Sequence, residues 1–219
     1  MFDDLQIAPH QLLSIPVFLL SLTVHEFAHA LVATQGGDDT PRLQGRLTLN
    51  PGPHIDLFGT IIIPLINLFS SIPLIGWAKP VQVNPARFKN QLWMVWVAIA
   101  GPISNVLLAV LAAILLKLGT IIMGKDLPEA AQILGFMFIL INISLAIFNM
   151  LPIPPLDGSR VLFHFGINGR PSLYPAWEAF ERYSIFVLYF IIIATPTSRA
   201  LLMLMQLLTT GLLWLFGLN

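Results

Sequence analysis

Long apolar runs alternate along the chain with short polar breaks, and the run lengths predict helices that cross a bilayer. Leu12 to Thr34 is the first, about 23 residues or roughly 34 Å of helix, against a hydrocarbon core of about 30 Å. Gly36, Gly37 and Pro41 end it. Leu92 to Leu118 and Ala131 to Met150 are further spans, and Trp177 to Ala194 and Ser198 to Phe216 predict a closing pair joined by a turn at Thr195-Pro196-Thr197. Two stretches depart from this pattern. In Gly45 to Pro51, Leu47 and Leu49 alternate with Arg46, Thr48 and Asn50, which is the period of a strand with an edge open to an extended peptide. Leu57 to Trp77 is apolar but broken by Gly59, Pro64, Pro73 and Gly76, so it either spans the bilayer or turns back as a re-entrant hairpin.

Charge decides between these two. If Leu57 to Trp77 spans, the lysines and arginines divide six against five and the positive-inside rule has almost no preference. If it is re-entrant, Arg42, Arg46, Lys79, Arg87, Lys89, Arg160, Arg170 and Arg182 fall together against Lys117, Lys125 and Arg199. The expectation is therefore an all-α polytopic membrane protein with about five transmembrane helices plus a membrane re-entrant β-strand/hairpin region. Its N-terminus lies outside and it sits in the cell (inner) membrane. Residues 1–219 are expected to form one integral membrane domain, with a core at 12–165 and a C-terminal helix pair at 166–219.

Composition agrees with a membrane setting. Hydrophobic residues make up 56% and charged residues 10%, against about 25% charge in soluble domains. Net charge is zero and no basic block offers a surface to nucleic acid. The absence of cysteine excludes disulfides and thiolate ligands, so a transition metal has to be held by histidine and carboxylate. No lysine or arginine precedes Arg42, whereas a secretory signal needs a positive start, so the first apolar segment stays as a span.

Inside that first span lies His25-Glu26-Phe27-Ala28-His29. Positions i and i+4 share a helix face, so both imidazoles can grip one metal ion while Glu26 reaches the water that the ion activates. An ionisable group at bilayer depth costs on the order of 2.5 to 3.5 kcal/mol, which argues for a function. Catalytic zinc usually takes three protein ligands and keeps one position open. With a re-entrant Leu57 to Trp77, the Leu12 and Ala131 helices run the same way and Asp157 comes to the same depth as the histidines. One zinc ion per chain on His25, His29 and Asp157, with Glu26 as general base, is the resulting expectation, in the cytosolic half of the membrane. Pro152, Pro154 and Pro155 force extended chain before Asp157, which also suits a helix N-cap. Asn149, ahead of that break, can donate its amide to a substrate carbonyl or oxyanion. Arg46, Leu47, Thr48, Leu49 and Asn50 are the candidate edge for holding unwound substrate. His54 suits a structural role better than a further ligand or gate.

These residues carry a resemblance. His25-Glu26-Phe27-Ala28-His29, Gly101-Pro102-Ile103-Ser104-Asn105 and the stretch from Asn149 to Asp157-Gly158 resemble the site-2 protease family of intramembrane zinc metalloproteases, over about Leu12 to Phe165. The resemblance implies regulated cleavage within or near a transmembrane segment of a membrane-protein or peptide substrate. No loop is long enough for a PDZ domain, so the similarity is to a compact prokaryotic subgroup. The competing class is a non-catalytic metal-binding membrane protein or a transporter. A transporter calls for inverted repeats and acids spread along a path, whereas the deeply placed acids are Glu26 and Asp157 alone. Substrate identity and oligomeric state have no signature in the sequence.

Overall fold

The computed structural model describes residues 9–69, 76–123, 127–194 and 196–218. The long helices are α1 (Pro9–Gln35), α4 (Leu92–Met123), α5 (Glu129–Asn149), α7 (Tyr174–Ala194) and α8 (Thr197–Leu215). Shorter ones are α2 (Thr40–Leu43), α3 (Ile63–Phe69) and α6 (Asp157–Leu162). In α1 the hydroxyls of Ser21, Thr23 and Thr34 donate to carbonyls four residues back, so these polar side chains bring no unpaired donor into an apolar helix.

The centre of the molecule is α4, which packs against both α1 and α5. Its buried face is a stripe of small residues at helical spacing, Ala98, Gly101, Asn105, Ala109 and Ala113. Small side chains let helix backbones approach closely where no water drives them together. The lower end of the stripe meets Ile139 and Ile143 of α5, with Leu212 and Leu213 of α8 and Phe216 just after it closing the cluster. A second cluster joins Ile153 and Leu156 of the proline-rich turn to Leu188 of α7.

Two expectations need correction. Among the described residues, four helices are long and apolar enough to cross a membrane, Leu13–Gln35, Leu92–Met123, Glu129–Asn149 and Thr197–Leu215. The predicted fifth, α7, is not among them, because Glu178, Glu181 and Arg182 put three charges into the first part of that helix, where each would be costly in lipid. Nor is there a β-strand or sheet among the described residues. Residues 46–50 form a series of bends held by short-range bonds, in which the Asn50 amide donates to Thr48 Oγ1 and the Gly52 amide to Asn50 Oδ1. Such side-chain acceptors compete with a ladder for the same backbone groups, and alternation alone cannot reveal that competition.

The described part of the Leu57 to Trp77 segment is helical where it has regular structure. It begins with a wide helical turn at Leu57–Ile62, capped by Asp56, and continues as α3; residues 70–75 lie outside the described residues. Its two ends meet. The Trp77 amide donates to the Gly59 carbonyl at 3.1 Å, and the Thr60 hydroxyl donates to the Trp77 carbonyl at 2.8 Å. Further along, the Lys89 amide donates to the Gly36 carbonyl at 2.9 Å, which sets the end of α1 beside the start of α4. Everything between these two helices therefore leaves and returns at one end of the bundle.

Candidate metal centre

His25 and His29 lie one turn apart on the buried face of α1, and α6 brings Asp157 to them. The placement of Asp157 follows from the turn before it. After Asn149 the prolines stop the helix, Leu156 is extended, and a new helix starts at Asp157. Gly158 then packs directly on the Met150 and Leu151 carbonyls, where a side chain would collide with backbone. This close approach folds α6 back onto the end of α5.

Three ligand atoms converge as a result. His25 Nε2 and His29 Nε2 are 3.0 Å apart, and Asp157 Oδ2 is 3.2 Å from each. All three residues are buried. The outer nitrogens fix what the inner ones present. His29 Nδ1 faces the Val97 carbonyl at 2.6 Å, and a carbonyl only accepts, so Nδ1 carries the hydrogen and a neutral ring turns the Nε2 lone pair inward. His25 is set by a longer chain. Ser21 donates to the Val17 carbonyl, Asn142 Nδ2 donates to Ser21 Oγ, Asn105 Nδ2 donates to Asn142 Oδ1, and Asn105 Oδ1 then accepts from His25 Nδ1 at 2.6 Å. Two lone pairs and a carboxylate oxygen thus face one point, and Asp157 Oδ2 has no hydrogen-bond donor. Tetrahedral zinc with bonds of about 2.0 to 2.2 Å sets its ligand atoms roughly 3.3 to 3.6 Å apart, so the observed triangle needs to open by only a few tenths of an ångström to take the ion. The cluster fits a metal ion.

Glu26, in a cavity of about 350 Å³ with the three ligands, is held from outside the motif. Its Oε2 accepts the Val81 amide at 2.9 Å. Gly101 of α4 lies flat against both imidazoles, and a β-carbon there would overlap His25 and His29. Asn149 lines the cavity, with its Nδ2 donating to the Leu145 carbonyl at 3.0 Å.

The remaining predicted positions lie elsewhere. Arg46 is 5% exposed and bonds to backbone carbonyls, Leu49 is turned out to 57% exposure, and none of residues 46–50 lines the cavity. His54 is buried, its Nε2 paired with the Thr48 carbonyl, and it is not part of the cluster. Asn105 and Asn142 were the residues to find from sequence, since an amide within an apolar run has to meet a partner. Val81 and Val97 act through main-chain groups and carry no such mark.

Comparison with known proteins adds relatives to this geometry. A family model described as peptidase family M50 matches residues 117–194. YwhC of Bacillus subtilis, which bears the name of a zinc metalloprotease, is 36% identical over 206 residues, covering 92% of this chain and 88% of YwhC. Rip2 of Mycolicibacterium smegmatis, named in the same way, is 34% identical over 170 residues, 75% of this chain and 62% of Rip2. No solved structure matches. By its similarity to YwhC over nearly the whole of both chains, and with a buried His-His-Asp cluster in place, the chain belongs to peptidase family M50, as a multi-pass membrane zinc metalloprotease.

Proposed function

We propose that this chain hydrolyses peptide bonds of membrane-spanning substrates, with zinc held by His25, His29 and Asp157 and with Glu26 as general base. The observation that carries the assignment is the shared cavity, where Glu26 stands beside three converging ligand atoms with one carboxylate oxygen already bonded to Val81. Zinc bound there supplies a Lewis acid for the scissile carbonyl and brings the pKa of water toward about 7. Glu26 then takes the water proton through the oxygen that Val81 leaves free and passes it to the leaving amine. The two imidazoles keep their orientation through Val97 and the Asn105 chain, so the site is built before substrate arrives. Asn149 retains a second amide hydrogen, which we assign to the developing oxyanion.

A helical substrate has to unwind to expose its bond, so it enters this cavity as extended chain. With α7 removed from the spans, Arg199 joins the eight basic residues of the inner group, and this division of nine against two supports a cytosolic site and an outside N-terminus. The test compares wild type with Glu26→Gln, purified in detergent, on dye-labelled single-span peptides. Cleavage is expected to fall by at least about 100-fold in the variant, with one zinc per chain in both proteins. Equal cleavage by the two proteins would remove Glu26 from the mechanism.

A further inference from the structure

Arg46 is a buried guanidinium, and no carboxylate lies within ion-pairing distance of it among the described residues. It donates instead to three main-chain carbonyls. Nη1 bonds to Pro53, just before the Leu57 segment, and Nη2 bonds to Lys79 and Pro80, just after it, at 2.7 Å each. One side chain therefore ties both flanks of the hairpin. Its own backbone is anchored in turn, since the Arg46 amide donates to the Pro41 carbonyl at 2.8 Å.

The Pro80 carbonyl and the Val81 amide belong to a single peptide unit, which is planar and trans. Arg46 holds the oxygen of that plane, and Glu26 accepts from the hydrogen on its opposite side. Turning the plane breaks both bonds together. A donor on the carbonyl also polarises the amide, so the N–H is a stronger donor to the carboxylate than an unassisted amide. We infer that Arg46 is a positioning residue for hydrolysis, aiming the Pro80–Val81 peptide so that Val81 fixes one oxygen of Glu26 and leaves the other to the attacking water. This rests on Glu26 as the base.

The Leu57 hairpin thereby acquires a role in the chemistry. Its closed base, through Arg46 and the Lys79 amide on the His54 carbonyl, determines where a carboxylate on α1 points.

The sequence offers a spectroscopic handle, because Pro16-Val17 and Pro80-Val81 are its two Pro-Val pairs. Full-length protein in detergent, labelled with carbonyl-¹³C proline and ¹⁵N valine, gives two correlated amide peaks, and Val17→Ile identifies which is which. Arg46→Met and Glu26→Gln are each expected to move the Val81 peak. On a dye-labelled single-span peptide cleaved by wild type, Arg46→Met is expected to lower kcat roughly 10- to 100-fold, with KM and zinc content unchanged. Arg46→Lys keeps a donor and recovers part of the loss, and it decides the matter alone if Arg46→Met fails to fold. An unmoved Val81 peak in a folded Arg46 variant, or wild-type kcat in Arg46→Met, overturns the relay. Full activity in Glu26→Gln overturns instead the assignment of the base on which the relay depends.

Discussion

At position 101 a single methyl group would occupy the space where two imidazoles turn toward their shared point. Gly101→Ala is therefore expected to push His25 and His29 apart and to lower bound zinc well below one per chain, as read by elemental analysis, with the helix content of α4 intact. Asn105 acts at one remove. Asn105→Leu leaves His25 free to rotate and takes the partner from Asn142, so zinc affinity is expected to fall roughly 10- to 100-fold in a chelator competition. The meeting of His25, His29 and Asp157 was legible in the sequence, because residue type, the i and i+4 spacing and the proline break point to one metal site. The structure brings these three side chains together with Glu26 in the same cavity, and the proposed roles rest on that meeting. Val81 and Val97 were not legible, since a backbone amide or carbonyl looks alike under any side chain. Gly101 stood in the stretch that carries the family resemblance, but which side chains it admits depends on a neighbouring helix.

Among the elements, the segment from Gly45 to Asn50 shows how far local pattern can mislead. Its alternation of leucines with polar residues is real, yet the polar side chains bond along their own backbone and Arg46 points inward. The links between loops instead come from single buried groups. Asp38 is one, fully buried at the end of α1, where it accepts from Thr40 and from the Asn84 amide. Burial alone would raise its pKa, but the Thr40 hydroxyl, the Asn84 and Thr40 amides and the nearby Arg87 together hold it below the ordinary carboxylate value. A depressed folded pKa means that this stabilisation is complete above the unfolded carboxylate range and is lost as pH falls through the folded value. Thermal unfolding in detergent between pH 7 and 3 is expected to show a smaller acid-side decline for Asp38→Asn than for wild type. At pH 7 that variant is expected to cost about 1 to 3 kcal/mol.

Over the whole molecule, two spaces share one wall. The 350 Å³ metal cavity and a larger groove of about 1070 Å³ are both lined by Pro80, Val81 and Arg160. The groove carries Glu178 and Glu181 of α7, two of the three charges that set that helix apart from the four spans. The proposed orientation puts this groove on the cytosolic side. Because the chain has no cysteine, single cysteines report sidedness directly. With a membrane-impermeant maleimide, Met123→Cys is expected to label in intact cells and Ser172→Cys only after lysis; the opposite pattern would invert the topology.

The ligands come from the first long helix and from the short one that follows α5, and this separation sets a timetable for synthesis. α1 leaves the ribosome first, carrying two histidines and a glutamate into lipid with its metal site a third incomplete. It is less apolar than α4, which makes it the more reluctant of the two to insert. α4 arrives next with Asn105 and Gly101 to cover the imidazoles, and the last ligand emerges only after α5 is made. On the proposed ligand set, a nascent chain stopped short of Asp157 lacks its third ligand and is expected neither to hold zinc nor to cut, so activity begins only once synthesis has passed α6.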